Sequence, residues 1–296
     1  MGIQQLINGI SLGSVYALIA VGFALVFNIL KFSNFSQGGL MGVTAYIGYI
    51  ASQALSPYID GPALFVATLL CAAFGGGVVA LFVERVAFRR LRNQGSPVIY
   101  YFISSITMGI LLENLITVAF SSNFYSYPKF FPVTLIHLGS INIAVSDLMM
   151  LGFSSAALGL LLWVIYGTKM GIAMRAVSFD VNTAQLMGMD ANRVVMMTFI
   201  AAGVLGGISG VFLGINYTLY PQLGQLITKG FIASVIGGLG SISGALMGAI
   251  LLGVAEVFLI GLVGAGWVPV CLFGIMILFL LVRPRGISGV IVQEKV

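Results

Sequence analysis

Charge is what this chain has least of. Asp, Glu, Lys and Arg make up 7% of its 296 residues, apolar residues make up 59%, and the mean hydropathy is +1.11. Soluble domains are nearer a quarter charged, and one core of this size cannot hide so much apolar surface, so lipid is the solvent for most of the chain. Histidine is almost missing: His137 stands alone in a loop, Ser121 to Ser146, which removes multi-histidine metal motifs and leaves no other base to activate a serine. No lysine follows a glycine, so there is no P-loop and the chain cannot itself cradle ATP phosphates. Cys71 and Cys271 sit in apolar windows and read as small buried hydrophobes rather than as a disulfide or metal site. The opening Met1-Gly2-Ile3-Gln4-Gln5 lacks the basic start of a cleaved signal peptide, and Leu6 spoils a myristoylation match. These absences argue against a membrane enzyme and against any cofactor bound by this chain.

What is present is a series of long uncharged windows, among them Met1 to Leu30, Gly61 to Val83, Asn93 to Leu112 and Val194 to Thr228. Each is about a bilayer's worth of helix, which takes ~20 residues. A transmembrane barrel would alternate polar and apolar residues over ~10-residue segments, and these runs are continuously apolar. The fold class is therefore all-α and polytopic, one transmembrane domain over residues 1–296.

Spans are expected at Ile3 to Ile29, Gln37 to Gln53, Pro62 to Val83, Val98 to Phe120, Asp147 to Tyr166, Val194 to Tyr217, Gly230 to Gly238, Gly244 to Ile260 and Trp267 to Val282. The seventh is too short for an ordinary crossing and reads as re-entrant, giving about eight to nine transmembrane helices. Threading them in order puts Lys31, Arg85, Arg89, Arg90, Arg92, Lys169, Arg175, Arg193, Arg283, Arg285 and Lys295 on one side, with Lys129 and Lys229 opposite. The positive-inside rule makes the first side cytoplasmic, with the N-terminus outside and the C-terminus inside. The net charge of +5 thus belongs to loops facing anionic lipid and does not imply nucleic acid.

The stretch Leu6 to Glu84 reads as an apolar helix, a polar break at Ser33 to Gly39, and Gly-rich helix. Val194 onward repeats the plan, with a break at Gln222 to Gly230 and Gly-rich spans ending near Glu256. The two units run in opposite directions, the layout of an inverted-topology transporter repeat. Small-residue faces such as Gly206, Gly210 and Gly214 allow helix axes to approach closely. Interrupted segments mark the binding region in such proteins, which points to Asn34, Ser36, Gln37 and Gly38 in the first break and Thr228 and Gly230 in the second. Their polar groups and exposed backbone could replace water around a solute. Carboxylates inside apolar spans are costly and usually functional, so Glu113 and Glu256 join the candidate pathway, either as lining or as proton sites. Each also reads as an interhelical hydrogen-bonding residue.

Gly167 to Arg193 is the long polar interruption of the second half. Asp180 is placed to cap a short helix Val181 to Met187, Gly188 to stop it, and Asp190 to cap the next span. Such a helix would lie along the cytoplasmic face. Thr183, Ala184 and Gly188 would let a partner's groove come close, and Leu186 and Met187 would supply an apolar anchor.

Asn182-Thr183-Ala184-x-x-x-Gly188 resembles a degenerate form of the Glu-Ala-Ala-x-x-x-Gly loop of ABC-importer permeases, keeping the Ala and Gly but not the Glu or the first Ala. The runs Gly171 to Val177, Ala184 to Asp190, Gln5 to Leu18, Asn34 to Gly38, Glu84-Arg85, Gly237 to Gly244 and Arg283 to Gly286 resemble the branched-chain amino acid (Liv-type) permeases. The likeness implies a pore half in a bacterial-type inner (plasma) membrane. Its implied partners are a second permease, two cytoplasmic ATPase subunits that bind the ATP, and an extracytoplasmic substrate-binding protein. It also implies an ATPase-coupling loop carrying Arg175, Asp180, Thr183, Ala184, Leu186, Met187 and Gly188. The implied cargo is a small neutral solute, with branched-chain amino acids first and urea or short amides as the alternative within the family. Outside it stand an ion-coupled secondary transporter working through Glu113 or Glu256, and a channel.

Overall fold

The computed structural model describes residues 2–131, 135–138 and 141–288. Lys295, expected on the cytoplasmic side, lies outside them. The chain runs α1 (Gly2–Leu30), α2 (Ser36–Leu55) and α3 (Gly61–Val83), the last passing through a π-helical turn at Glu84–Phe88 into α4 (Arg89–Asn93). Next come α5 (Val98–Phe120), a hairpin of β1 (Leu135–Leu138) and β2 (Ile141–Ala144), and α6 (Val145–Gly167). Two short helices, α7 (Lys169–Phe179) and α8 (Val181–Leu186), lead into α9 (Ala191–Tyr217). A 3₁₀ turn at Pro221–Leu226 opens α10 (Ile227–Gly237), which is followed by α11 (Ile242–Val263) and α12 (Val268–Val282).

Among the described residues seven helical segments are long and apolar enough to cross a membrane: α1, α3 with α4, α5, α6, α9, α11, and α12 with the turn before it. The other two expected crossings, α2 and α10, are the ones that follow the polar breaks. In β1 and β2 Leu135 pairs with Ala144 and His137 with Asn142, so the backbone of His137 is strand rather than open loop.

α1 is the post around which the bundle is built: 83% of its apolar window is buried, against 11% for α12, whose surface is left for lipid. Glycine permits the closest approaches. A Cβ on Gly76 of α3 would stand 2.1 Å from the Gly203 carbonyl oxygen of α9, so neither position has room for a side chain. Gly9 lies beside Val254 and Gly13 beside Ile250, so α1 and α11 are antiparallel; α3 and α9 are antiparallel by the same test, with Gly76 against Gly203 and Ala72 against Gly207.

The main contacts form a closed set. α1 packs on α11 as α9 packs on α3; α2 packs on α3 as α10 packs on α11; α2 packs on α9 as α10 packs on α1. Exchanging α1-α2-α3 for α9-α10-α11 maps each contact onto another while reversing the direction of every helix. That is the contact pattern of an inverted repeat.

Two ends can be told apart by charge. Lys31, the arginines of Glu84–Asn93, Lys169, Arg193, Arg283 and Arg285 gather at what we term the basic end. Arg92 there reaches across to Asn192 at the start of α9, Nε to Oδ1 2.7 Å. The same guanidinium holds the buried Glu84 carboxylate at 2.6 Å, closing the π-helical turn onto α9. Lys31 itself is pushed down in pKa by burial, and it takes a left-handed φ of 56° as the chain turns back into the bilayer. Tyr127 marks the far end, donating to the Ala45 carbonyl at 2.6 Å.

Candidate functional site

The polar break before α2 folds back into the membrane instead of staying at its edge. Asn34 Oδ1 accepts from Ser36 N at 3.2 Å and from Ser36 Oγ at 2.6 Å, which starts α2 without water. Gln37 Nε2 donates to the Ala202 carbonyl at 2.8 Å and lies close to Gly22 and Gly206, so the first turn of α2 sits at the middle of α1 and α9. From the opposite direction the 3₁₀ turn at Pro221–Leu226 descends to the same depth. The two breaks cross at Gly38 and Gly224: a Cβ on Gly38 would be 2.5 Å from the Gly224 oxygen, and one on Gly224 2.3 Å from the Gly38 oxygen.

This crossing explains both interruptions. Backbone that leaves helical geometry inside a bilayer must find other partners or line a cavity, and at this crossing the Asn34 side chain and tight turns, Gly38 N to the Phe35 carbonyl and Leu223 N to the Tyr220 carbonyl, supply partners. Asn34, Ser36 and Gln37, expected along the solute pathway, are buried to 1%, 1% and 3% exposure, and the bonds above show that they help build the crossing. Gly230 is likewise structural, packed on Ile19, and Thr228 Oγ1 donates to the Gln225 carbonyl of its own turn at 2.9 Å.

What the crossing leaves open is a cleft of about 270 Å³ beside α5. Phe35, Phe102, Ile106, Ile110 and Ile227 form its apolar walls. Gly38, Gly39, Gly109 and Gly224 expose backbone on its floor. Phe35, at the head of α2, is held between α1 and α10, with ring centroids 6.0 Å from Phe23 and 5.5 Å from Phe231. Glu113 stands at the rim, one helical turn beyond Gly109, and its Oε1 accepts from Gln225 Nε2 at 3.2 Å.

Glu256 belongs elsewhere. Its Oε1 meets Lys229 Nζ at 2.6 Å, and the same ammonium donates to Tyr16 at 2.9 Å and Tyr217 at 3.4 Å while lying over both rings. Sequence order places Lys229 in a loop opposite the basic side; the structure buries it in the first turn of α10. Glu256, 3% exposed, is therefore the counter-ion of Lys229 in a cluster joining α1, α9, α10 and α11, and not a lining residue.

At the basic end the elbow between α6 and α9 has the expected caps. Asp180 Oδ1 accepts from Asn182 N and Thr183 N at 2.9 and 3.0 Å, Asp190 Oδ1 from Asn192 N and Arg193 N at 3.0 and 3.2 Å, and Gly188 takes φ 85°. α8 ends at Leu186, one residue before the expected Met187. One expected surface residue, Ala184, turns inward, and another, Arg175, stays exposed while folding back onto the chain. Ala184 is 4% exposed and packs with Val177 and Ala191, and Arg175 caps the Ile165 carbonyl at the end of α6 while lying 5.4 Å over the Tyr166 ring. The outward face is Phe179, Leu186 and Met187, exposed by 88%, 88% and 78%. Nothing in the residue order singles out Phe179, because only the α7–α8 angle separates it from the membrane-facing residues beside it.

Two helices that begin inside the membrane and meet at the centre of an inverted repeat, with a small apolar cleft at the meeting point, define a multi-pass membrane protein of the solute-permease class. Residues 5–281 match the family model described as branched-chain amino acid transport system / permease component. The chain is 36% identical to the high-affinity branched-chain amino acid transport system permease protein BraD of Pseudomonas aeruginosa, covering 99% of this chain and 98% of the relative. It is 34% identical to the corresponding permease protein LivH of Escherichia coli K12, covering 99% and 97%, and equally so to LivH of Salmonella typhimurium. The chain belongs to the branched-chain amino acid transport permease family. Its relatives are permease components, whose part in a transport system is passage of the solute.

Proposed function

We propose that this chain is one half of the membrane conduit of an ATP-driven importer for branched-chain or other neutral amino acids. It lies in an inner membrane with its N-terminus outside and the basic end in the cytoplasm, as the distribution of Lys and Arg supports. Its partners are a second permease, identical or homologous, two cytoplasmic ATPase subunits that carry the nucleotide, and an external binding protein. No cofactor is required by this chain itself.

The observation that carries the reading is the apolar cleft at the crossing of Gly38 and Gly224, between two helices that enter from opposite sides. A solute there touches both repeats at once, so a small rock of one against the other changes which side it faces. ATP-driven movement of the partners would reach the bundle through α8, whose Leu186 and Met187, with Phe179, offer a compact apolar docking face beside the exposed polar residues Asn182, Thr183 and Gln185. Asp180 and Asp190 hold both ends of the elbow, so a push on α8 is delivered to α9 rather than absorbed by the loop.

The test is reconstitution of the chain with its permease, ATPase and binding-protein partners in proteoliposomes. Uptake of leucine, isoleucine or valine that requires ATP is expected. ATP-independent uptake by this chain alone under a proton gradient would overturn the reading, as would ATP-driven uptake of urea with none of neutral amino acids.

A further inference from the structure

We infer that Glu113 receives the α-ammonium group of the transported zwitterion, in a half-site whose apolar walls take the side chain. The inference rests on the importer reading and adds the residue that distinguishes an amino acid from a neutral amide.

Glu113 lies within a membrane-crossing helix, and no Lys, Arg or His among the described residues pairs with it. Its hydrogen-bond partner is the Gln225 amide, which donates to Oε1 and leaves Oε2 without a side-chain donor among the described residues. An acidic residue at the centre of a helix facing hydrocarbon costs about 2.5–3.5 kcal/mol on insertion scales. Glu113, a turn beyond the middle of α5, instead faces the rim of the cleft beside Gln225, where a cation from outside the chain would offset its charge. Glu256 is the contrasting structural carboxylate, sunk in the bundle with its own lysine.

The surroundings of Glu113 fit the rest of an amino acid. Phe102, Ile106 and Ile110 precede it on the same α5 face, and Phe35 and Ile227 close the cleft opposite, a suitable wall for a branched aliphatic chain. A volume of about 270 Å³ admits one such molecule with a few waters. The first turn of α2, the positive end of a 20-residue helix, opens on the same cleft through Gly38 and Gly39 and favours the carboxylate end of the solute. Urea and short amides carry no charge to offset the Glu113 carboxylate, so the cleft disfavours them.

The full complex, reconstituted with its binding protein at saturation, tests this with Glu113→Gln and Glu113→Asp beside the unaltered chain. Leucine uptake and ATP hydrolysis stimulated by the loaded binding protein are measured together. Glu113→Gln is expected to assemble normally and keep stimulated hydrolysis while uptake per ATP falls at least about tenfold, with partial recovery in Glu113→Asp. Unchanged leucine uptake in Glu113→Gln overturns the inference. So does failure of that variant to co-purify with the second permease, which would make Glu113 a subunit contact. If the unaltered complex carries urea and no amino acid, the importer reading for amino acids fails and the inference falls with it.

Discussion

Lys229 and Glu256 meet at 2.6 Å inside the bilayer, with Tyr16 and Tyr217 closing the remaining donor directions of the ammonium. The pair fastens the half-helix α10 to α1, α9 and α11 at the level where the chain has left regular structure. Its position makes it a pin for the second repeat. The first repeat has no counterpart ion pair at the equivalent place among the described residues and is pinned by the Gln37 amide on the Ala202 carbonyl.

Breaking the pin from one side should be worse than removing it whole. Glu256→Gln leaves a buried ammonium without its counter-charge, a change that typically costs about 3–5 kcal/mol. Lys229→Met with Glu256→Leu removes both charges and is expected to recover much of that loss. Thermal unfolding midpoints of the purified protein in detergent check this, with a double variant less stable than either single one as the contrary result.

Gly38 and Gly224 cannot accept a methyl group without parting the two breaks, because the atoms in the way are backbone oxygens 2.5 and 2.3 Å from the added Cβ. Gly224→Ala should therefore abolish substrate uptake. Gly77→Ala, whose new carbon would meet Ile200 at an ordinary 3.4 Å, should be nearly silent in the same transport assay.

Gly188 has open space around it, so bulk alone would be tolerated there. Its φ of 85° is not, and Gly188→Val is expected to cost about 1–2 kcal/mol locally and to turn α8 away from its docked position. ATP-driven uptake should fall with membrane insertion unchanged, as read by transport and immunoblot of the same membranes. Leu186→Ala with Met187→Ala removes the apolar anchor without touching the backbone, and should reduce the ATPase subunit recovered by co-purification.

Arg92 serves two helices. Arg92→Met strands the 1%-exposed Glu84 and frees Asn192, and a loss of about 3–5 kcal/mol is expected. Glu84→Gln, which keeps a hydrogen-bond acceptor for Arg92, should be milder in the same unfolding measurement.

The membrane class, the long spans and the capped elbow are all legible in the residue order, because each depends on short-range properties, and the inverted repeat shows there as two similar helix-break-helix units whose packing only the fold supplies. Twenty apolar residues specify a crossing wherever they occur, and Asp180, Gly188 and Asp190 act on backbone within three residues of themselves. The breaks at Ser33 to Gly39 and Gln222 to Gly230 are visible for the same reason. Their crossing is not, since Gly38 and Gly224 are brought together only when α1, α9 and α5 pack around them.

Orientation of single side chains was decided by tertiary structure alone. Lys229 follows a polar stretch and reads as a loop charge until α11 brings Glu256 to it. Ala184 lies in a surface loop and still faces inward, because α9 offers it a pocket, while the exposed Arg175 bends back to a carbonyl at the end of α6. Asn34, Ser36 and Gln37 read as solute ligands in a polar break, and in the folded chain their side chains bond within it and to α9. Local chemistry set which segments cross and where they stop; long-range packing, which satisfies buried polar groups with whatever neighbour the fold supplies, set which of them remain free for a solute.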